Sequence, residues 1–167
     1  MNKKHFAVLG LLAMAFTLLP ILANAQTSIS DLNATHAAVL KNWLATKKGW
    51  RLALEKDYEK TNLELLRGED KNLRPFYVAA DFNHDKKEDF AVILTNGKGK
   101  CSVAVFNAPF DSKKVQSPAF FTDKIEAGDI VYFNENTKLL LVGPYASDAG
   151  FMLRPNGKTY KVAYFED

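Results

Sequence analysis

Cysteine is nearly absent from this chain, Cys101 being the only one in 167 residues. An internal disulfide is therefore excluded, and stability has to come from a packed core or a bound metal. In Cys101-Ser102-Val103-Ala104-Val105-Phe106 the cysteine shares strand parity with Val103 and Val105, which predicts a small core residue rather than a reactive thiol. Histidine is scarce as well, with three in the whole chain. His36 falls within a helical pattern and reads as a packing or surface residue rather than a base. No G-x-S-x-G elbow, H-E-x-x-H pair or glycine-rich phosphate loop occurs, so the corresponding hydrolase, metalloprotease and nucleotide-binding chemistries lack their motifs. Charge of one sign is nowhere concentrated. Beyond residue 25, 20 basic residues are interspersed with 19 acidic ones, which excludes the dense basic field that nucleic acid binding requires. Low-complexity tracts and sequence repeats are missing too, so a solenoid or bladed array is not expected.

What is present begins at the N-terminus. Met1-Asn2-Lys3-Lys4-His5, the apolar run from Phe6 to Leu22 and then Ala23-Asn24-Ala25 ahead of Gln26 read as a secretory signal peptide cleaved after Ala25. The alternative is an uncleaved anchor, because the apolar run approaches the roughly 20 residues that a span needs. Gln26 leaves no cysteine for lipid attachment, so the processed chain is expected to lack stable membrane insertion and to be periplasmic or secreted. Residues 26–167 have a length suited to one domain with its own core.

Two helical patterns come first. Leu32, Val39, Leu40, Trp43 and Leu44 recur at helical spacing between Ser30 as a cap and Gly49 as a stop, predicting a helix to about Lys48. A short strand over Trp50 to Leu54 and a second helix from Glu55 to Arg67, ended by Gly68, are expected next, with Leu63 and Leu66 inward near Tyr58 or Asn62. From Arg74 the pattern changes to short runs rich in Val, Ile, Phe and Tyr, separated by turn signals. Pro75 to Ala80 and Phe90 to Thr95 flank an acidic loop, and Asn96-Gly97-Lys98-Gly99 turns into a strand around Cys101 to Phe106. Val131 to Phe133 with Leu139 to Val142, and Phe151 to Leu153 with Tyr160 to Tyr164, complete two more hairpins through Asn134-Glu135-Asn136 and Pro155-Asn156-Gly157. The expected fold class is α+β, with N-terminal helices packed on an antiparallel β-meander of hairpins.

The acidic loop carries the clearest chemistry. In Asp81-Phe82-Asn83-His84-Asp85-Lys86-Lys87-Glu88-Asp89, oxygen side chains stand at positions 1, 3, 5 and 9. A hard cation such as Ca²⁺ takes 6 to 8 oxygen ligands, and residues two apart in a tight turn can aim them inward. The predicted ligand set is Asp81, Asn83, Asp85, the backbone carbonyl of Lys87, and Asp89. Position 12 is Val92 rather than a bidentate Glu, and the flanks read as strands, so the loop is not an EF-hand. Without metal, the same side chains would bond their own backbone in a polar hairpin tip.

The D-x-N-x-D-x-x-x-D pattern running into an apolar strand resembles the calcium loop of FG-GAP or VCBS-type repeats, as in integrin-like propellers. The resemblance covers about fourteen residues, Asp81 to Leu94. It implies a hairpin with a metal loop at its tip, and with one copy it implies neither a propeller nor an activity. That family usually has Gly at the sharp positions, where this chain has His84 and Lys86; Lys86 at positive φ would cost on the order of 1 kcal/mol.

Elsewhere, Gly143-Pro144-Tyr145-Ala146-Ser147-Asp148-Ala149-Gly150 joins two strands and offers Tyr145, Ser147 and Asp148 as a recognition loop, or simply packs on a strand end. Phe106, Phe110, Phe120 and Phe121 are either core or an exposed aromatic patch. Asp123 with Glu126, and Glu166 with Asp167, are adjacent carboxylates that could serve acid/base work or lie in a solvated turn and tail. Taken together, these features predict an exported, non-enzymatic binding protein for an envelope partner, with one calcium ion. The alternatives are an inhibitor or immunity protein against a cell-wall hydrolase, and a carboxylate-dependent hydrolase.

Overall fold

A computed structural model describes Ile29, residues 32–145 and residues 147–165. The expected signal peptide, the Ser30 cap, and Glu166 with Asp167 lie outside the described residues.

Asn33 caps a helix. Its side-chain oxygen accepts from the His36 amide at 2.8 Å, so α1 spans Ala34–Leu44. His36, Val39, Leu40 and Trp43, spaced three and four apart, form its buried stripe. The helix stops four residues short of the predicted Lys48. Thr46 donates both its amide and its hydroxyl to the Trp43 carbonyl, tightening the last turn and ending the ladder, and Gly49 follows at φ 82°.

The second predicted helix is split. Asp57 accepts from the Leu54 amide and takes both guanidinium nitrogens of Arg51 at 2.7 Å, which fixes a single 3-10 turn at Glu55–Asp57. Only then does α2 run, over Lys60–Glu69. Leu63 and Leu66 are buried as expected, Tyr58 belongs to the same core, and Asn62 is exposed. Gly68 lies within the last turn of α2 instead of ending it.

Two antiparallel sheets accompany the helices, making a mixed α+β fold that is mostly β. The first holds β1 (Arg51–Leu52), β2 (Tyr77–Ala80), β3 (Asp89–Thr95), β4 (Cys101–Phe106) and β5 (Phe120–Ile125). β1 and β2 lie end to end along one side of β3, Leu52 opposite Leu94 and Tyr77 opposite Val92, while β4 and then β5 follow on the other side. The second sheet is a meander of β6 (Ile130–Asn134), β7 (Leu139–Gly143), β8 (Phe151–Asn156) and β9 (Thr159–Tyr164).

The expected single meander is therefore interrupted once. After β5 the chain turns through Gly128, at φ 98°, and β6 emerges beside the start of β2, where the Val131 amide donates to the Pro75 carbonyl at 2.9 Å. β5 itself had no predicted strand. Its charged Asp123 and Lys124 break the alternation because they form a bulge, two residues opposite Ser102 between the Cys101–Ile125 and Val103–Thr122 pairs.

β3 and β4 are buried along their whole length, so they read as continuous apolar runs, while the flanking strands are half exposed. Phe90 stacks on Phe106 with ring centroids 4.8 Å apart, His36 stacks on Phe90 at 4.4 Å, and Trp43 meets Phe106 and Phe121 edge-on. Cys101 is buried with its thiol pKa pushed up by desolvation, in keeping with the predicted core role.

Candidate metal centre

The β2–β3 hairpin closes with Ala80 opposite Asp89, so residues 81–88 form its tip. Asp81 spreads its carboxylate over two amides, Oδ1 accepting from Asp85 at 3.0 Å and Oδ2 from Lys86 at 2.8 Å. Asn83 Oδ1 shares the Asp85 amide at 2.9 Å, and Asp85 Oδ1 accepts from Lys87 at 3.0 Å. These bonds fold the tip so tightly that His84 and Lys86 take φ of 64° and 67°, the left-handed conformation that the sequence resemblance assigns to glycines. Three of the predicted oxygen donors thus converge on one short stretch of backbone. Lys87 contributes a cationic side chain nearby, its Nζ 3.8 Å from Asp85 Oδ2.

Asp89 stands apart. It is fully buried, with Oδ2 accepting from the Phe82 amide at 3.1 Å and Oδ1 from the Ala108 amide at 2.9 Å. Burial raises its carboxyl pKa, and the amides of Ala108, Phe82 and Asn83 pull it back toward ionisation. One carboxylate therefore clamps the entry of the loop to the segment after β4. Phe82, also buried, locks the same entry against Phe133.

Sequence reasoning missed the residues behind this clamp. Tyr160 on β9 donates its hydroxyl to Asn107 Oδ1 at 2.7 Å, one residue before Ala108. Its phenol pKa is raised by burial first, then by the negative charge of Asp89, Asp81 and Asp85. The carboxylates of the loop are thus within electrostatic reach of the second sheet. The residues lie 53 apart in sequence, and no local pattern links them.

All the donors are oxygens, as a hard cation requires, and the sharp backbone is already in place. Asp81, Asn83 and Asp85 spend these oxygens on loop amides, and both oxygens of Asp89 are engaged with the amides of Phe82 and Ala108. Among the described residues, no group of three or more His, Cys, Asp or Glu side chains is gathered to hold a metal.

The other candidates fall elsewhere. Tyr145 is half-buried against the core beside Tyr132, whereas Ser147 and Asp148 are exposed and Ser147 Oγ accepts from the Ala149 amide. Ala146 lies outside the described residues. The base of that loop is pinched by a glycine pair: a Cβ on Gly143 would sit 2.4 Å from Gly150 Cα. His36 is a packing residue, enclosed by Phe90, Phe110, Asn33 and Tyr77, its Nδ1 2.9 Å from the Tyr77 hydroxyl. Desolvation lowers its pKa to about 4. Phe106 belongs to the core, Phe110 and Phe120 pack partly against it, and Phe121 is the exposed member, with Lys47 over its ring. Asp123 is exposed on β5, and the neighbour that Glu126 meets is Asp129, a buried carboxylate that accepts from the Glu126 amide.

No protein-family model matches the chain, and neither the curated proteins nor the solved structures yield a match. Among the described residues, no helix is long and apolar enough to cross a membrane.

Proposed function

We propose that this chain is an exported, non-enzymatic binding module whose residues 81–89 hold one structural calcium ion. Asp81, Asn83 and Asp85 supply side-chain oxygens, Lys87 its carbonyl and Asp89 the closing carboxylate, as in the FG-GAP-like loops that the segment resembles. The observation that carries this reading is the left-handed pair His84 and Lys86. The two residues hold a strained turn that spends its side-chain oxygens on a few amides, and an ion of higher coordination number would replace those bonds with stronger ones.

The ion's role is mechanical. It ties the loop tip to Asp89, and through Asp89 to Ala108 and the second sheet, while residues 34–69 serve as the N-terminal helical cover of the β-structure. The signal peptide over residues 1–25 places the module in the periplasm or outside the cell, with an envelope protein as partner. Affinity in the 10⁻⁴ to 10⁻³ M range fits an extracellular module. A second reading, an inhibitor or immunity protein against a cell-wall hydrolase, draws on the Gly143–Gly150 pinch, which would present Ser147 and Asp148 on a stiff base.

Calorimetric titration of the purified protein with CaCl₂ tests the first reading. One site per chain, abolished in Asp81→Ala and unaffected in Ser147→Ala, is the expected result. Absence of any saturable heat up to about 10 mM, ten times the weakest affinity in that range, would overturn it.

A further inference from the structure

One tripeptide occurs in two different turns. Asn96-Gly97-Lys98 opens the connection from β3 to β4, and Asn156-Gly157-Lys158 carries the chain from β8 into β9. Asparagine is a thermolabile residue, and a following glycine makes it more so, because no Cβ keeps the glycine nitrogen from the asparagine side chain. In deamidation that nitrogen attacks the asparagine Cγ. A C–N bond forms, and the side-chain nitrogen leaves as ammonia with the proton that the glycine nitrogen gives up. Water then opens the resulting succinimide at either carbonyl, leaving aspartate or isoaspartate.

In the first turn both reacting groups are occupied. The Gly97 N–H donates to Thr95 Oγ1 at 3.1 Å, while Asn96 Oδ1 accepts from the amides of Lys98 at 2.8 Å and Lys100 at 3.2 Å. In the second turn both are free. Asn156 and Gly157 are exposed, and among the described residues neither the Asn156 side chain nor the Gly157 N–H makes a hydrogen bond. Asn156 is held through its main chain alone, by its pairing with Thr159 and by the Thr159 hydroxyl on its carbonyl at 3.1 Å. It is the last residue of β8, so bringing its side chain to the Gly157 nitrogen opens only the final pair of the hairpin.

We infer that Asn156 is a site of spontaneous modification, converted to aspartate and isoaspartate through attack by the Gly157 nitrogen, and that the turn around Asn96 protects its own copy of the tripeptide. Both products place a carboxylate beside Lys158. Isoaspartate also adds a methylene to the main chain next to a two-residue turn, in which Gly157 already takes φ 65°, and such a turn sets the register of its strands. The Lys158 carbonyl accepts from Asn107 Nδ2 at 3.5 Å, and Tyr160 donates to Asn107 Oδ1 at 2.7 Å. Ageing at Asn156 therefore loosens the contact between the second sheet and the segment after β4. This inference is independent of the metal loop.

The test holds the folded protein, expressed from its full sequence, in warm, mildly alkaline buffer and follows it by peptide mapping. Trypsin puts the two asparagines in separate peptides, residues 88–98 and 139–158, because Pro155 blocks cleavage after Arg154. The mass gain of deamidation should accumulate in the second peptide at least about tenfold faster than in the first, the factor that one or two hydrogen bonds supply. In concentrated urea the two rates should converge, as identical tripeptides require. Thr95→Val, which frees the Gly97 N–H, should speed the reaction at Asn96, and Asn156→Gln should leave residues 139–158 at their starting mass. Hydrogen exchange at the Thr159 amide should quicken in the aged protein. Equal rates in the folded protein, faster reaction at Asn96, or no reaction at Asn156 while the unfolded chain reacts would each overturn the inference.

Discussion

Two strands of similar length illustrate opposite solutions to the same problem. β4 is buried from Cys101 to Phe106, paired on both sides and packed beneath Trp43, whereas β9, among the described residues, is paired on one side and buries only Tyr160. β4 is built for stability and needs nothing more. β9 has the composition of a half-buried strand, and its Val162 and Tyr164 remain 40% and 71% exposed. The acidic loop belongs to the first kind at Asp89, where both carboxylate oxygens hold backbone amides, and to the second at its tip, where Asp81, Asn83 and Asp85 hold only the loop itself. Stability is expected to be concentrated in β3, β4 and Asp89, and adaptability at the loop tip.

Substitutions should reveal this division. Asp89→Ala leaves the amides of Phe82 and Ala108 without acceptors, a loss of about 4 kcal/mol at 1 to 3 for each orphaned group. Urea unfolding measures it, and a loss below 1 kcal/mol would remove the clamp from the account.

His36 comes next. Its folded-state pKa of about 4 lies below the 6.5 of a free imidazole, so the unfolded chain binds the extra proton between those values. Stability is full above pH 6.5, falls through the window and levels off below pH 4, by about 3 kcal/mol in total. His36→Phe should flatten this slope in unfolding curves at pH 7, 5.5 and 4. Asp89 and Asp129, whose raised pKa values act in the opposite sense, are common to both proteins and cancel in the difference.

Gly143→Ala places a methyl 2.4 Å from Gly150 Cα and should cost about 2 kcal/mol, read as a lower melting temperature. Val162→Lys should have the smallest effect on stability, within about 0.5 kcal/mol, because its side chain is 40% exposed on an open edge. A large loss there would mean that β9 is already covered, and the contrast with β4 would fail.

Much of this was legible in the sequence wherever pattern and turn chemistry are local. The hairpins around Asn96-Gly97 and Asn156-Gly157, the buried Leu63 and Leu66, and the loop between Ala80 and Asp89 all follow from alternation and turn residues. The helix ends were misread where a nearby side chain competed for the backbone, as Thr46 and Asp57 do. β5 was hidden by its bulge, since Asp123 and Lys124 interrupt the period that betrays a strand. The residues behind the site were illegible for another reason. Asn107 and Tyr160 meet only because two sheets converge, and no spacing in a single sequence encodes that meeting.

Thermal unfolding in 10 mM CaCl₂ against EDTA, with Asp85→Ala alongside, tests the metal loop most directly. An ion bound with a Kd of 10⁻³ to 10⁻⁴ M stabilises the fold by about 1.4 to 2.7 kcal/mol, a rise of several degrees that the variant loses. Identical melting curves in calcium and EDTA would contradict the account and leave residues 81–89 as a self-bonded hairpin tip.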